Sequence, residues 1–366
     1  TFTSTIGDAD NAGVIGTTAV GNSTTADLNF SSTIYKFDGG TTFTAASDAT
    51  IDMASAVAFT TAADNIEFST ANIELANGAN LTIDTGAAGG NITVGGAIGG
   101  VSVETVTLDA GTGTTSVAAI GTGTEIGALS IGTSDNGGIT LNGAIVTDGA
   151  IVIDGPVTLA TGAVSVTTAD DNVTFNHTID GAQTLTVNSG AGNVVFSKKI
   201  GETNALGGLD VNSASNDGDG DITFTEDIGD TSAGVKGTTA VGNSATNQII
   251  FSEDTYTFDT GTTTFTVKLF AAQCGPSAIT SSVNVVTYDG IDKKGGILRR
   301  KSGTINTIYQ RTVGTPSTPS SPSSPGTPAS HSVYYWYDGS HGVSSSGEVT
   351  VEGSSYDFTG DVTRIS

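Results

Sequence analysis

Residues 185–230 read LTVNSGAGNVVFSKKIGETNALGGLDVNSASNDGDGDITFTEDIGD. Within them Leu185-Thr186-Val187, Val194-Val195-Phe196, Leu209-Asp210-Val211 and Ile222-Thr223-Phe224 each set apolar side chains two residues apart. That alternation buries one face of a strand and wets the other. Gly, Asn and Asp fill the gaps, residues that tolerate the positive φ of tight corners. Working outward, the same short runs recur upstream, at Leu81-Thr82-Ile83, Ile92-Thr93-Val94, Val106-Thr107-Leu108, Leu129-Ser130-Ile131, Ile139-Thr140-Leu141, Ile151-Val152-Ile153, Val164-Ser165-Val166 and Val173-Thr174-Phe175. Gly recurs every few residues, β-branched residues dominate, and no window keeps a 3.6-residue period for three turns. Helix is excluded, and the chain reads as all-β.

Strand centres fall about 7 to 15 residues apart, a spacing shared by β-sandwiches and parallel β-solenoids. Three features favour the solenoid, or β-helix. The strands are short and alike, the turns lack a consistent two-residue hairpin signal, and Thr and Asn recur where they could stack in ladders. Tandem β-sandwich domains are the alternative.

One segment occurs twice. Residues 1–46 read TFTSTIGDADNAGVIGTTAVGNSTTADLNFSSTIYKFDGGTTFTAA, and residues 223–267 read TFTEDIGDTSAGVKGTTAVGNSATNQIIFSEDTYTFDTGTTTFTV. With short gaps, Ile6 falls on Ile228, Val20 on Val241, Phe30 on Phe251, Tyr35 on Tyr256 and Phe37 on Phe258. Such long-period self-similarity marks a stacked, repetitive architecture. Thr1 aligns with Thr223, inside an expected strand, so the chain begins where a processed or excerpted repeat would begin.

The alternation in residues 185–230 (Leu-Thr-Val, Gly-x-Gly-x-Val-x-Phe, Ile-Gly, Ala-Leu-Gly-x-Leu) resembles the repeats of large secreted bacterial surface proteins. These are the filamentous-haemagglutinin-like and autotransporter-like β-strand-repeat proteins, and the resemblance covers about residues 1–267. It implies a right-handed parallel β-helix displayed outside the cell as an adhesin or fibre. The secretion domain and outer-membrane barrel of that family are not visible in the sequence.

Formal net charge is -25 at pH 7 and is unevenly placed. Residues 1–267 hold 30 of the 37 Asp and Glu but only 4 of the 12 Lys and Arg. This acidic body repels nucleic acid and anionic lipid, so nucleic-acid binding is disfavoured. No run of 18 apolar residues exists to span a membrane. Residues 268–313 form a basic transitional segment in which Lys293, Lys294, Arg299, Arg300 and Lys301 cluster. They could dock on the acidic body of a neighbouring subunit, or simply be a solvated loop. Residues 314–330, GTPSTPSSPSSPGTPAS, carry five of the seven prolines and read as a semi-rigid linker. Residues 331–366 suggest a small β tail able to add strands to a partner or to its own rod.

Candidate sites are few. His177, His331 and His341 have no metal-like spacing, and no catalytic constellation is apparent, so the chain reads as non-enzymatic. A carbohydrate-active β-helix enzyme is the weakest of the rival readings. Asn216, Asp217, Asp219 and Asp221 pack oxygen-bearing side chains into one Gly-rich turn that could hold calcium or be a plain acidic turn. Tyr334, Tyr335, Trp336 and Tyr337 could stack on sugar rings, or pack a small core. Cys274 is the one cysteine, and the sequence does not say whether it pairs.

These features lead to one expectation: an extracellular structural protein of the cell surface, self-associating head to tail through open solenoid ends into a fibre. A host- or matrix-glycan-binding adhesin module without polymerisation is the rival.

Overall fold

The structure is a computed structural model. It describes residues 1–267 other than 9–12, 133–136, 215–219, 230–233, 254 and 260, together with the backbone of five short strands beyond residue 267.

Residues 1–267 form a parallel β-solenoid of three faces. The first face is an eleven-stranded sheet running from Val14–Ile15 to Gln248–Phe251. The second begins as an eight-stranded sheet from Thr18–Gly21 to Ile179–Asp180 and continues through single bridges from Ile179 to Ile200, Ile228 and Tyr256. The third is a four-stranded and a six-stranded sheet joined by the bridges Ile98–Ile120 and Ile120–Ile145. The chain visits the faces in that order, coil after coil, and every strand-to-strand pairing within the sheets of residues 1–267 is parallel. The sandwich alternative, which needs antiparallel sheets, is excluded.

Parallel stacking follows from the sequence runs. Each reads apolar, polar, apolar, so one edge carries two inward side chains. In-register stacking places them over their equals: Leu81 pairs with Val57 on one side and Val106 on the other, and Ile83 with Phe59 and Leu108. All twelve runs named above lie on strands of this kind. A slip of one residue would turn every apolar side chain outward, so the register is fixed by burial. The coil length is not constant. Val173 meets Val194 after 21 residues, whereas Val194 meets Ile222 after 28.

The core is aromatic near both copies of the duplicated segment and aliphatic between them. Phe30, Tyr35, Phe43, Phe59 and Phe68 pack together in the first coils. On the first face Phe175, Phe196, Phe224 and Phe251 form a column with ring centroids 5.4, 5.1 and 5.2 Å apart. Between residues 68 and 175 the sequence holds no aromatic residue.

Asn ladders tie the corners. The Asn65 side-chain oxygen accepts from the Asn91 N–H (2.8 Å), and that of Asn91 from the Thr114 N–H (2.9 Å). Asn172, Asn193 and Asp221 repeat the arrangement on later coils, at 2.8 Å in both steps. Each Asn satisfies a backbone donor that the corner removes from the sheet, which explains their recurrence.

Beyond residue 267 the backbone of Ile305–Val313 pairs antiparallel with His331–Asp338, and that of Val349–Val351 with Ser354–Tyr356. The strands expected in the tail are there. The first partner belongs to the segment read above as transitional.

Candidate assembly interface

The two copies of the duplicated segment fold alike. Phe2 bridges Phe30 as Phe224 pairs with Phe251, and Ile6 bridges Tyr35 as Ile228 bridges Tyr256. Val14 pairs with Phe37 as Val235 bridges Phe258, and Val20 pairs with Phe43 as Val241 pairs with Phe265. Ring geometry agrees as well. Phe2 and Phe30 stack at 4.9 Å, and Phe224 and Phe251 at 5.2 Å. Phe30 meets Phe43 edge-on at 5.5 Å and 86°, and Phe251 meets Phe265 at 5.3 Å and 89°.

Both copies also build one corner from GTTAVGNS, identical at residues 16–23 and 237–244. Gly21 and Gly242 take φ of 78° and 75°, and a Cβ on either would collide with the carbonyl oxygen of Thr44 or Thr266 on the next coil. The following asparagine closes the turn. The Asn22 N–H donates to Thr25 Oγ1 (2.9 Å) and the Asn243 N–H to Thr246 Oγ1 (3.0 Å).

What differs is the coil beneath. In the second copy Phe224, Ile228, Val235 and Val241 are at most 1% exposed. They sit on Phe196, Ile200, Leu206 and Val211 of the preceding coil. Backbone bonds seal that joint, from Thr225 N–H to the Phe196 carbonyl (2.9 Å), Gly229 N–H to Ile200 (2.6 Å), Lys236 N–H to Leu206 (2.8 Å) and Gly242 N–H to Val211 (2.7 Å). The Asn243 Nδ2 adds a bond to the Asn212 carbonyl at 2.6 Å. In the first copy Phe2, Ile6, Val14 and Val20 are only partly buried, and Asn22 is exposed. The strands Val14–Ile15, Thr18–Gly21 and Leu28–Phe30 end their sheets. Ile15 at the same edge is 83% exposed. An open sheet edge over a partly exposed apolar layer is a surface prepared for another strand layer.

The sequence reasoning missed Asn22, Gly21 and their counterparts. The signal was present, because GTTAVGNS is the longest identical block of the duplication. Identity at a corner reports turn chemistry rather than core packing.

The other candidate residues are dispersed. Of the proposed calcium ligands Asn216, Asp217 and Asp219 lie outside the described residues. Asp221 is on strand Asp221–Phe224, and its carboxylate accepts from Asn247 Nδ2 (2.6 Å) and Gln248 Nε2 (2.7 Å). Among the described residues no group of three His, Cys, Asp or Glu could hold a metal ion. Lys293, Lys294, Arg299, Arg300, Lys301 and Cys274 lie outside the described residues. Tyr334, Tyr335, Trp336 and Tyr337 fall on strand His331–Asp338, whose backbone alone is described. His177 Nε2 is 3.3 Å from Asp154 Oδ1 on the rod surface. No helix among the described residues is long and apolar enough to cross a membrane.

Two carboxylates have shifted acidities of opposite sign. Burial penalises the Glu104 carboxylate, but the N–H groups of Val101 (2.6 Å) and Gly78 (3.0 Å) donate to it, and its pKa lies below the ordinary Glu value. Glu74 is raised, first by burial and then by Asp52, which it pairs with across strands. Both serve the rod: Glu104 pins the loop around Val101 and Val103, and Glu74 belongs to a strained acidic pair.

Comparison with protein families, with characterised proteins and with solved structures finds no match. The open coil and the duplication therefore carry the functional argument.

Proposed function

We propose that this protein is an extracellular structural subunit of a cell-surface fibre, adhesin-like, which assembles head to tail through its open solenoid end. One observation carries the reading: the same segment is sealed beneath at residues 223–267 and open beneath at residues 1–46. Full burial of a Val, Ile or Phe side chain contributes about 1.5–3 kcal/mol relative to exposure, so four half-covered side chains leave a substantial driving force unused. A contact between two different ends of one subunit does not close on itself and propagates as a filament.

Charge supports this as well. Like-charged acidic rods repel one another side by side, which leaves the apolar ends as the preferred contact. The placement outside the cell rests on the resemblance to secreted surface repeats. In this reading the protein carries no reaction, and calcium or glycans would be accessories to a scaffold.

Negative-stain microscopy of the purified full-length chain across a concentration series tests the proposal. Thin unbranched filaments should appear and lengthen as concentration rises. Short rods of constant length at every concentration would overturn it.

A further inference from the structure

The duplicated copies lie on different faces of the solenoid. Phe30 is on the third face, Tyr35 and Phe37 on the first, and Phe43 on the second. Their counterparts have each advanced one face: Phe251 is on the first, Tyr256 on the second and Phe265 on the third. Following the third face from Leu28–Phe30 through Ile120 to Thr239–Val241 takes nine coils, and Phe251 lies one face further on. The sequence repeat is therefore nine and one-third coils long.

From this, and resting on the head-to-tail reading above, we infer that residues 1–46 of one copy dock on the coil containing Phe196, Ile200, Leu206 and Val211 of a second copy, replacing that copy's residues 223–267. The occupant of the open end is thus a second copy of this chain, held in one register. Interchange of identical elements between protomers is an inexpensive route to assembly, because the incoming contacts reproduce those released. Here the reproduction is unusually complete. Phe2, Ile6, Val14 and Val20 present the same side chains as Phe224, Ile228, Val235 and Val241, with the same ring geometry behind them. Asn22 supplies the amide that now bonds the Asn212 carbonyl. The incoming copy also holds four carboxylates where the outgoing one holds six, an advantage on a chain of net charge -25.

The inference fixes the symmetry of the fibre. With a strand spacing of about 4.8 Å, each subunit adds roughly 45 Å of length. It also turns by a third of the solenoid's circumference, on top of any gradual twist. A surface feature on one face recurs on the next face at the next subunit, so the fibre displays it on all three sides. Simple end-to-end stacking differs. There Phe2 would rest on Phe265, both on the third face, and successive subunits would stay in phase.

Cysteine trapping separates these outcomes. Asp210 faces outward opposite Ala240, the counterpart of Ala19. In the full chain carrying Cys274→Ser, the pair Ala19→Cys and Asp210→Cys should form intermolecular disulfides and a ladder of covalent oligomers on a non-reducing gel. The pair Thr3→Cys and Thr266→Cys reports simple stacking and should give none. A ladder from the second pair without one from the first overturns the exchange but leaves the fibre reading standing. Oligomers from neither pair, with rods that stay single under the microscope, overturn both. Filament images then check the rise of about 45 Å and the third of a turn.

Discussion

Asn243 donates from Nδ2 to the carbonyl oxygen of Asn212, one coil beneath it, at 2.6 Å. Asn212 is itself held by Ser189, whose N–H donates to Asn212 Oδ1 at 2.8 Å and whose Oγ accepts from Asn212 Nδ2 at 2.9 Å. Three successive coils are thus laced through one buried corner. Asn22 forms the same turn as Asn243 and is exposed.

This difference makes a paired test. An aspartate keeps the turn-closing oxygen but cannot donate, and at Asn243 it would set a carboxylate against the buried Asn212 carbonyl. Asn243→Asp should cost about 1–3 kcal/mol, the penalty of an unmade buried hydrogen bond. Asn22→Asp should cost a few tenths at most in the unassembled chain. Urea denaturation of both variants under dilute conditions checks the contrast, and equal losses would contradict the described joint.

The corner glycines should behave alike in both copies. At φ near +75° an alanine is strained, and its Cβ would strike the carbonyl oxygen of the coil above. Gly242→Ala and Gly21→Ala should each destabilise by about 1 kcal/mol or more. Amide hydrogen exchange on the following coil reads the effect locally. Unchanged protection at Thr266 in Gly242→Ala would argue against the tight corner.

Glu104 and Glu74 give opposite responses to pH. Glu104 has its pKa lowered by folding, so it contributes stability that is full above the ordinary Glu value of 4.5 and is lost as pH falls through the lower folded value. Glu74 has its pKa raised, so its charge costs stability at neutral pH, and the cost disappears as pH falls through the raised value. At pH 7 Glu104→Gln should therefore destabilise by about 1–3 kcal/mol, since two or more N–H donors lose a charged acceptor. Glu74→Gln should stabilise by about 0.2–1 kcal/mol, the range for like charges directly opposed across strands. Thermal melts at pH 7 and pH 4 check both signs, and each difference should shrink at the lower pH.

The strands and their parallel stacking were legible because each run places two inward side chains on one edge, and Asn and Thr recur at corners. A full alternation such as Leu81-Thr82-Ile83 was not needed in every coil: at Ile120, Ile200 and Ile228 a single apolar residue between glycines and short polar residues does the work of a strand. The coil period was not legible. Corners such as residues 197–207 and 212–220 lengthen a coil without disturbing the core, so no fixed offset emerges. For the same reason the one-face advance between the copies was hidden: an offset of about 221 residues carries no phase until coils are counted. The open joint was half visible. Identity of the two segments could be read, but only packing shows that one is covered and the other is not.

Phe196 should be among the most sensitive positions of the rod. It is 1% exposed and stacks between Phe175 at 5.4 Å and Phe224 at 5.1 Å. Truncation leaves a void that neighbouring coils cannot close, because their backbones are fixed by the sheets. Phe196→Ala should cost about 3–5 kcal/mol. Phe2→Ala, on the open face, should cost clearly less in dilute solution yet shorten or abolish filaments. Calorimetry and microscopy on the two variants separate folding from assembly.

The ion pair between Lys198 Nζ and Glu226 Oε1, at 2.6 Å, links the receiving coil to residues 223–267. The first copy has Ser4 at the position of Glu226, so an incoming residues 1–46 would not remake this pair. It is partly exposed, and such pairs contribute about 0.2–1 kcal/mol. That is too little to hold the solenoid together, but enough to bias a near-even competition between two almost identical segments, since about 1.4 kcal/mol is a factor of ten. Glu226→Ser should therefore leave thermal stability nearly unchanged while raising the yield of disulfides between Ala19→Cys and Asp210→Cys several-fold. High salt should do the same to the unaltered protein by screening the pair, and should do little more to the variant. A variant that cross-links no faster than its parent at low salt would show that Lys198 and Glu226 do not gate the exchange.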